Sequence, residues 1–136
     1  LVELEDYTDV DSQKVLVFEM GTKHKGSKVK LNNFFAEFPV LTPDEFIWWQ
    51  LILHPKKEGM FEILPRVVFS AKDQARRDEL GKTFQNLAGG FLHKVPKPFS
   101  NEQMFEFYKT RTFAKGTHNL NLLDEQMLDL ILLKNT

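Results

Sequence analysis

The chain has 136 residues, the length of one ordinary domain, and hydrophobic residues make up 42% of it, which is enough to form a core. It contains no cysteine, and this excludes disulfides, thiolate zinc sites and cysteine nucleophiles. The net charge is −1, but residues 13–115 carry 17 Lys and Arg against 11 acids, while residues 1–12 carry five acids and no base. We predict one domain over 1–136, basic in the middle and acidic at both ends.

The polar, acidic residues 1–12 predict an arm or an edge segment. Lys14–Met20 (KVLVFEM) is rich in β-branched and aromatic residues, which predicts a buried strand. A glycine-bounded loop, Gly21–Gly26, follows, and polar and apolar residues then alternate from Lys28 to Leu31. The pattern predicts a β-hairpin over Lys14–Asn32.

Thr42, Pro43 and Glu45 have the spacing of a helix start with a capping box, so we predict a helix over Pro43–Leu53. This helix would be apolar on nearly all sides and would therefore be central or covered. Met60–Phe69 predicts a third strand, in which Pro65 indicates a bulge or an edge.

Three further helices are predicted downstream. One is capped by Ser70 and ends near Gly89–Gly90, a second begins at the capping box Ser100–Gln103, and the last runs over Leu122–Lys134 behind Asn121. The predicted fold class is α+β: a small antiparallel sheet, made of the β-hairpin and a third strand, covered by about four helices. A winged-helix-like variant would use the basic hairpin as its wing.

The hairpin is the leading candidate for function, because a two-stranded ribbon with lysines along one side can follow a phosphate backbone. Flexible lysines give affinity with little sequence readout. We therefore predict a non-catalytic accessory protein that contacts DNA or RNA. The alternative is ordinary protection of an exposed strand edge by lysine. The predicted nucleic-acid-binding residues are Lys14, Lys23, His24, Lys25, Lys28, Lys30, Lys72 and Arg76.

A second hypothesis is an interaction or assembly subunit that binds a protein partner or self-associates through an apolar C-terminal helix. Aromatic pairs can anchor a partner, although most aromatic residues are needed in a core. Adjacent residues on a helix point about 100° apart, so we expect the two Trp to be unequally buried. The predicted partner-binding residues are Trp48, Trp49, Leu123, Met127 and Leu130.

Catalysis has weak support in the sequence. Gly81-Lys82-Thr83 imitates the end of a phosphate loop, but Arg76 occupies the position of the required upstream glycine. The four histidines form no paired metal motif, and there is no nucleophile elbow. Glu19, Lys23 and Glu62 form a loose constellation for a metal-dependent nuclease, our third hypothesis. We predict no cofactor and no metal.

Localisation is predicted from the same composition. No run reaches the ~18 apolar residues that indicate a membrane span, and the acidic start is unlike a signal peptide. We therefore expect no membrane contact and an intracellular protein, cytoplasmic or, in a eukaryote, nuclear.

Overall fold

The computed structural model describes residues 6–22, 38–55, 60–88, 92–96, 98–112 and 120–123. These ranges contain five strands and two α-helices, with a short 3-10 turn at Ser12–Lys14 before the first strand. The elements are β1 (Val15–Thr22), β2 (Phe46–Pro55), β3 (Met60–Ser70), α1 (Gln74–Ala88), β4 (Leu92–Lys94), α2 (Asn101–Thr110) and β5 (Leu120–Leu123).

The strands form one antiparallel sheet in the order β2-β3-β1-β4, and β5 also pairs with β3. β3 is the centre of this sheet. One of its edges pairs with all ten residues of β2, while the other is shared by β1, opposite Arg66–Ser70, and β5, opposite Met60–Ile63. Pro65 lies in the gap between these two ladders. A residue without an N–H is tolerated there, although the strand is central.

β1 changes partner along its length. Val15–Glu19 pairs with β3, and Met20–Thr22 pairs with β4. The side chain of Asn101 covers the other edge of the first half: Nδ2 donates to the carbonyl of Val15 at 2.7 Å, and Oδ1 accepts from the N–H of Val17 at 2.8 Å. The second strand of the predicted hairpin, residues 28–31, lies outside the described residues, and so does the wing of the winged-helix-like variant.

The two helices pack on opposite faces of the sheet because side chains alternate along β1. Leu16, Phe18 and Met20 face α1, in a core that includes Phe69, Leu80, Phe84 and Leu92. Val15 and Val17 face α2, in a smaller core with Val68, Met104, Phe105 and Tyr108. The α+β class is confirmed. The expectation of about four helices is not borne out by the described ranges, which contain two.

One predicted helix is a strand. Pro43–Leu53 was expected to be helical, but Phe46–Pro55 forms β2. The capping interaction does form, with the N–H of Thr42 donating to Glu45 Oε1 at 2.9 Å, but it closes a turn. An apolar run has no period that separates a buried helix from a strand, and here aromatic and β-branched residues pair with β3 along the whole run.

The last predicted helix is also wrong at its start. Leu120–Leu123 pairs with Met60–Ile63 as β5, so Asn121 lies within a strand and caps no helix. The rest of that prediction, residues 124–134, lies outside the described residues.

The other two predicted helices are confirmed, with one change of cap. α2 begins at Ser100, whose Oγ accepts from the N–H of Gln103 while the Gln103 side chain accepts from the N–H of Ser100, a complete capping box. α1 begins later than predicted, because Ser70 belongs to β3 and Asp73 accepts the first helical hydrogen bond, from Arg77. Neither helix of the described ranges is long and apolar enough to cross a membrane.

Candidate interaction surface

β2 is the outermost strand of the sheet, and in the described part of the chain no strand pairs with its outer side. We call this outer side the β2 edge. Asn101 and Val95 bond the backbone groups of Val15, Val17 and Glu19, which therefore point away from β3. In an antiparallel ladder, hydrogen-bonded and non-hydrogen-bonded pairs alternate, so the backbone direction at β1 fixes that of β3 and then that of β2. The backbone groups of the odd-numbered residues of β2 therefore point outward along the β2 edge.

The composition of the β2 edge is unusual for a terminal strand. Phe46–Leu53 (FIWWQLIL) contains no charged residue, no glycine and no proline. Exposed edges are normally protected by lysine, proline or a bulge. Here the first protective residue is Pro55, the last of the strand. Phe46 is 45% exposed and Leu53 is 39% exposed, so each end of the uncharged run presents a large hydrophobic side chain to solvent.

Three aromatic side chains, Tyr7, Phe46 and Trp48, extend this region over the α2 side of the sheet, and we call them the aromatic surface. Phe46 and Trp48 stack with ring centroids 6.0 Å apart, and Tyr7 meets Trp48 edge-on at 5.3 Å. Tyr7 is 60% exposed. Aromatic side chains with one packed face and one solvated face are enriched at protein interfaces.

Tyr108 of α2 anchors the aromatic surface from below. Its ring stacks on Trp48 at 6.1 Å, and its hydroxyl lies 3.2 Å from the hydroxyl of Tyr7. Burial raises the pKa of Tyr108 above its usual value, and the hydrogen bond with Tyr7 raises it further. The phenol therefore stays protonated, and the pair can hold Tyr7 in place at neutral pH.

A buried polar network fixes β2 to the rest of the sheet on this side. The guanidinium of Arg66 donates from Nε to Glu19 Oε1 at 3.2 Å, and both side chains are fully buried. Its other nitrogens reach Gln50 and the carbonyls of Phe107 and Thr112. Gln50 in turn donates to the carbonyl of Tyr108 at 2.9 Å. The network thus joins β1, β2 and β3 to the end of α2.

Two of the predicted phosphate-binding cations are engaged by carboxylates. Lys72 lies 3.3 Å from Asp44, and Arg76 contacts Glu45 at 2.8 Å and Glu79 at 3.0 Å. The hydrogen bonds from Arg76, followed by the backbone N–H of Thr42, lower the pKa of Glu45 from its usual 4.5 to about 2. Both cations are therefore largely neutralised at their own end of the sheet.

The three described members of the predicted basic patch lie at one end of the sheet. Lys14 is exposed and lies beside Ala71, whose N–H donates to its carbonyl, so it belongs with Lys72 and Arg76. The eight residues of β1 separate Lys14 from Thr22, at the other end of the strand, by about 26 Å at ~3.3 Å per residue. The remaining predicted residues, Lys23, His24, Lys25, Lys28 and Lys30, lie outside the described residues.

The carboxylates proposed for a nuclease are not assembled by the described residues. Glu19 is buried against Arg66, Lys23 lies outside the described ranges, and the backbone of Glu62 pairs with His54 and Asn121. Among the described residues, no group of three or more His, Asp or Glu side chains could hold a metal ion.

The described members of the predicted partner-binding set do not share one surface. Trp48 and Trp49 are adjacent on β2 and point to opposite faces, Trp48 toward Tyr108 and Trp49 toward Phe84, where the ring centroids are 5.9 Å apart. Both are half-buried, so the unequal burial that we expected for two adjacent residues of a helix is wrong. The two side chains instead alternate across a strand. Leu123 is in β5, while Met127 and Leu130 lie outside the described residues.

Sequence reasoning did not select Tyr7, Phe46 and Leu53. The absence of charge from Phe46 to Leu53 was visible in the sequence. Because we predicted a helix there, we did not interpret this run as an uncharged strand edge. On a helix these residues would have covered one another. On β2 they form an outer strand whose outward side pairs with no other strand of the described ranges.

A separate cleft of about 290 Å³ lies between the start of β1 and the first turns of both helices. Polar side chains, among them Gln13, Gln74 and Glu102, line it. The amide of Gln13 donates to Glu102 at 2.6 Å, and Arg77 donates to the carbonyls of Ala71 and Lys72. Gln13, Glu102 and Arg77 are thus engaged by one another or by the backbone.

Comparisons with known proteins give no further assignment. No protein-family model, no curated protein and no solved structure matches the chain.

Proposed function

We propose that this protein is an interaction domain that binds an extended protein segment along the β2 edge. The observation that carries the proposal is the uncharged outer strand, with Phe46 and Leu53 exposed at its two ends. An added strand would bond to the outward backbone groups, and the aromatic surface would supply anchor contacts beside it.

The chemistry of the β2 edge favours this proposal over a charged ligand. The edge offers backbone hydrogen bonds and apolar side chains, and Phe46–Leu53 has no charge that would attract phosphate or a charged peptide. Screening acts on charges and leaves these contacts largely unaffected. Binding at the β2 edge should therefore be nearly insensitive to salt.

Site-specific photo-crosslinking in the source organism tests the proposal. A photoreactive residue in place of Leu53 should form a covalent adduct with a protein, identified by mass spectrometry. The same residue in place of Lys82, on the exposed side of α1, is the matched control. An adduct formed at position 53 and not at 82 would support the proposal. No adduct at 53, or equal adducts at both positions, would contradict it.

We propose nucleic-acid backbone contact as a second candidate, supported by one feature of the topology. β1 and β2 both run antiparallel to β3, so both strands end at the same end of the sheet. Thr22 and Pro55 therefore lie toward the same end of the sheet, and the sequences that follow them carry Lys23, Lys25, Lys28, Lys30, Lys56 and Lys57. Exposed Lys94, paired with Met20, lies toward the same end.

Fluorescence anisotropy with labelled single- and double-stranded oligonucleotides tests this second candidate. Binding should weaken steeply as salt is raised, because phosphate contacts release counterions. Replacing Lys23, Lys25, Lys28 and Lys30 by Ala should abolish binding, whereas replacing Lys14 and Lys72, at the opposite end, should not. A folded protein that binds no oligonucleotide at low salt would exclude this candidate.

A further inference from the structure

We propose that the segment bound at the β2 edge is the β2 edge of a second copy of this chain, so that two sheets join into one across a two-fold axis. This inference rests on the proposed function and specifies its partner. It identifies an isologous interface, in which the same strand of each copy pairs with itself in antiparallel orientation.

Charge is the first argument for self-pairing. A strand that pairs with its own copy places each charged residue opposite another residue of the same strand, and like charges directly opposite are destabilising. Phe46–Leu53 carries no charge at all, so no register of this run against itself brings like charges together. A partner with a charged strand would find no complementary charge there.

The positions of the exposed side chains select one register. When the two-fold axis passes through Gln50, Phe46–Leu53 of each copy is paired almost end to end, and Leu53 lies opposite Ile47 of the other copy. Trp48 then lies opposite Ile52. This register covers Leu53 with an apolar neighbour and brings Phe46 inside the paired segment, so that both exposed hydrophobic residues of β2 are accounted for together.

The self-pair also continues the core layer on the α1 side of the sheet. Ile47 and Leu51 are partly buried and pack against the core on the α1 side of the sheet. In an antiparallel pair, two residues directly opposite each other on the two strands point to the same face of the sheet. Leu53 of one copy therefore extends the apolar layer that contains Ile47 of the other copy. The apolar layer would pass from one copy to the next without a polar interruption.

Closure is the third argument. A long, uncharged edge on a free monomer is a template for open-ended aggregation. Pairing about a two-fold axis uses the β2 edges of both copies. The remaining outer strands of the described sheet, β4 and β5, have only three and four residues. A closed dimer therefore removes the long edge that an unlimited assembly would need.

Sedimentation equilibrium and light scattering on the purified chain test this inference, with two substitutions of the same residue. The wild-type chain should have about twice its monomer mass of 15.9 kDa. Leu53→Pro removes one outward N–H from the β2 edge of each copy, and this N–H makes no hydrogen bond to β3. The dissociation constant of the dimer should therefore rise about 10- to 100-fold. Leu53→Ala keeps that N–H and should remain largely dimeric.

Three results would overturn the inference: a wild-type monomer at all concentrations up to about 1 mM, a dimer unaffected by Leu53→Pro, or equal dissociation by Leu53→Ala. If circular dichroism shows that Leu53→Pro is unfolded, Leu53→Lys replaces it, since a charge on the edge should also dissociate the dimer.

The proposed function can survive the failure of this inference. A wild-type monomer that still forms adducts with another protein from position 53 would keep the interaction domain and assign the β2 edge to that protein. A monomer that forms no such adducts would remove both.

Discussion

At the scale of single residues, Gly81 shows how closely α1 approaches the sheet. A Cβ atom placed on Gly81 would lie 2.8 Å from Phe18 Cζ and 3.0 Å from Leu16 Cδ2, both in β1. Contacts this short would force the buried phenyl ring or the helix to shift. The glycine that looks unfavourable within a helix is therefore explained by packing.

Gly81→Ala should destabilise the protein, although Ala is the better helix former. Overpacking typically costs 1–3 kcal/mol and the gain in helix propensity is about 1 kcal/mol, so we expect a net loss of about 1 kcal/mol in the free energy of unfolding. Urea denaturation measures this difference, with Lys82→Ala on the exposed side of the same turn as the control. An alanine variant more stable than the wild type would show that the close approach is wrong.

The buried pair of Glu19 and Arg66 gives a second prediction at this scale. Glu19→Leu would leave the Arg66 cation buried without its carboxylate, and breaking such a pair typically costs 3–5 kcal/mol. The double variant Glu19→Leu with Arg66→Met removes both charges.

A double-mutant cycle measured by urea denaturation should therefore show strong coupling between Glu19 and Arg66. The double variant should lose less stability than the two single variants lose together. Strictly additive losses would contradict an ion pair between these residues and would leave the link between β1 and β3 to their backbone ladder and apolar packing.

At the scale of elements, the Glu45–Arg76 contact joins the turn before β2 to α1. The carboxylate accepts from Arg76 Nε at 2.8 Å and from the N–H of Thr42 at 2.9 Å, so one side chain holds the turn and the helix together. The contact also fixes the chain just before Phe46 and thus sets where the β2 edge begins.

Glu45 should make stability depend on pH in the acid range. Its pKa falls from 4.5 to about 2 on folding, so its contribution is complete above pH 4.5 and is lost as the pH falls toward 2. Urea unfolding of the wild type and of Glu45→Gln from pH 2 to pH 7 should give stabilities that converge at the acid end. A constant difference across this range would contradict the assignment.

The elements also show which sequence signals were decisive. α2 was predicted correctly because its capping box is a local pattern of side-chain and backbone groups within four residues. The same kind of pattern at Thr42–Glu45 misled us, since it closes a turn and the following residues find a partner strand. β-pairing is a tertiary event, and no local window contains it.

At the scale of the whole molecule, composition was enough for the class of fold but not for the arrangement of the site. The sequence singled out Trp48 and Trp49 together, but only Trp48 belongs to the aromatic surface, since Trp49 packs against Phe84 on the other face of the sheet. It could not reveal that Arg76 pairs with Glu45, 31 residues away, because that contact depends on how α1 packs beside the turn. The charge of a patch is thus decided by the fold.

The central claim, that another chain covers the β2 edge, is tested most directly by amide hydrogen exchange in the purified protein. At concentrations where the protein is dimeric, the outward amides of Ile47, Leu51 and Leu53 should be protected. Dilution into the monomer range should expose these three while Trp48 and Ile52, bonded to β3, stay protected. Outward amides that exchange freely at every concentration would contradict the account.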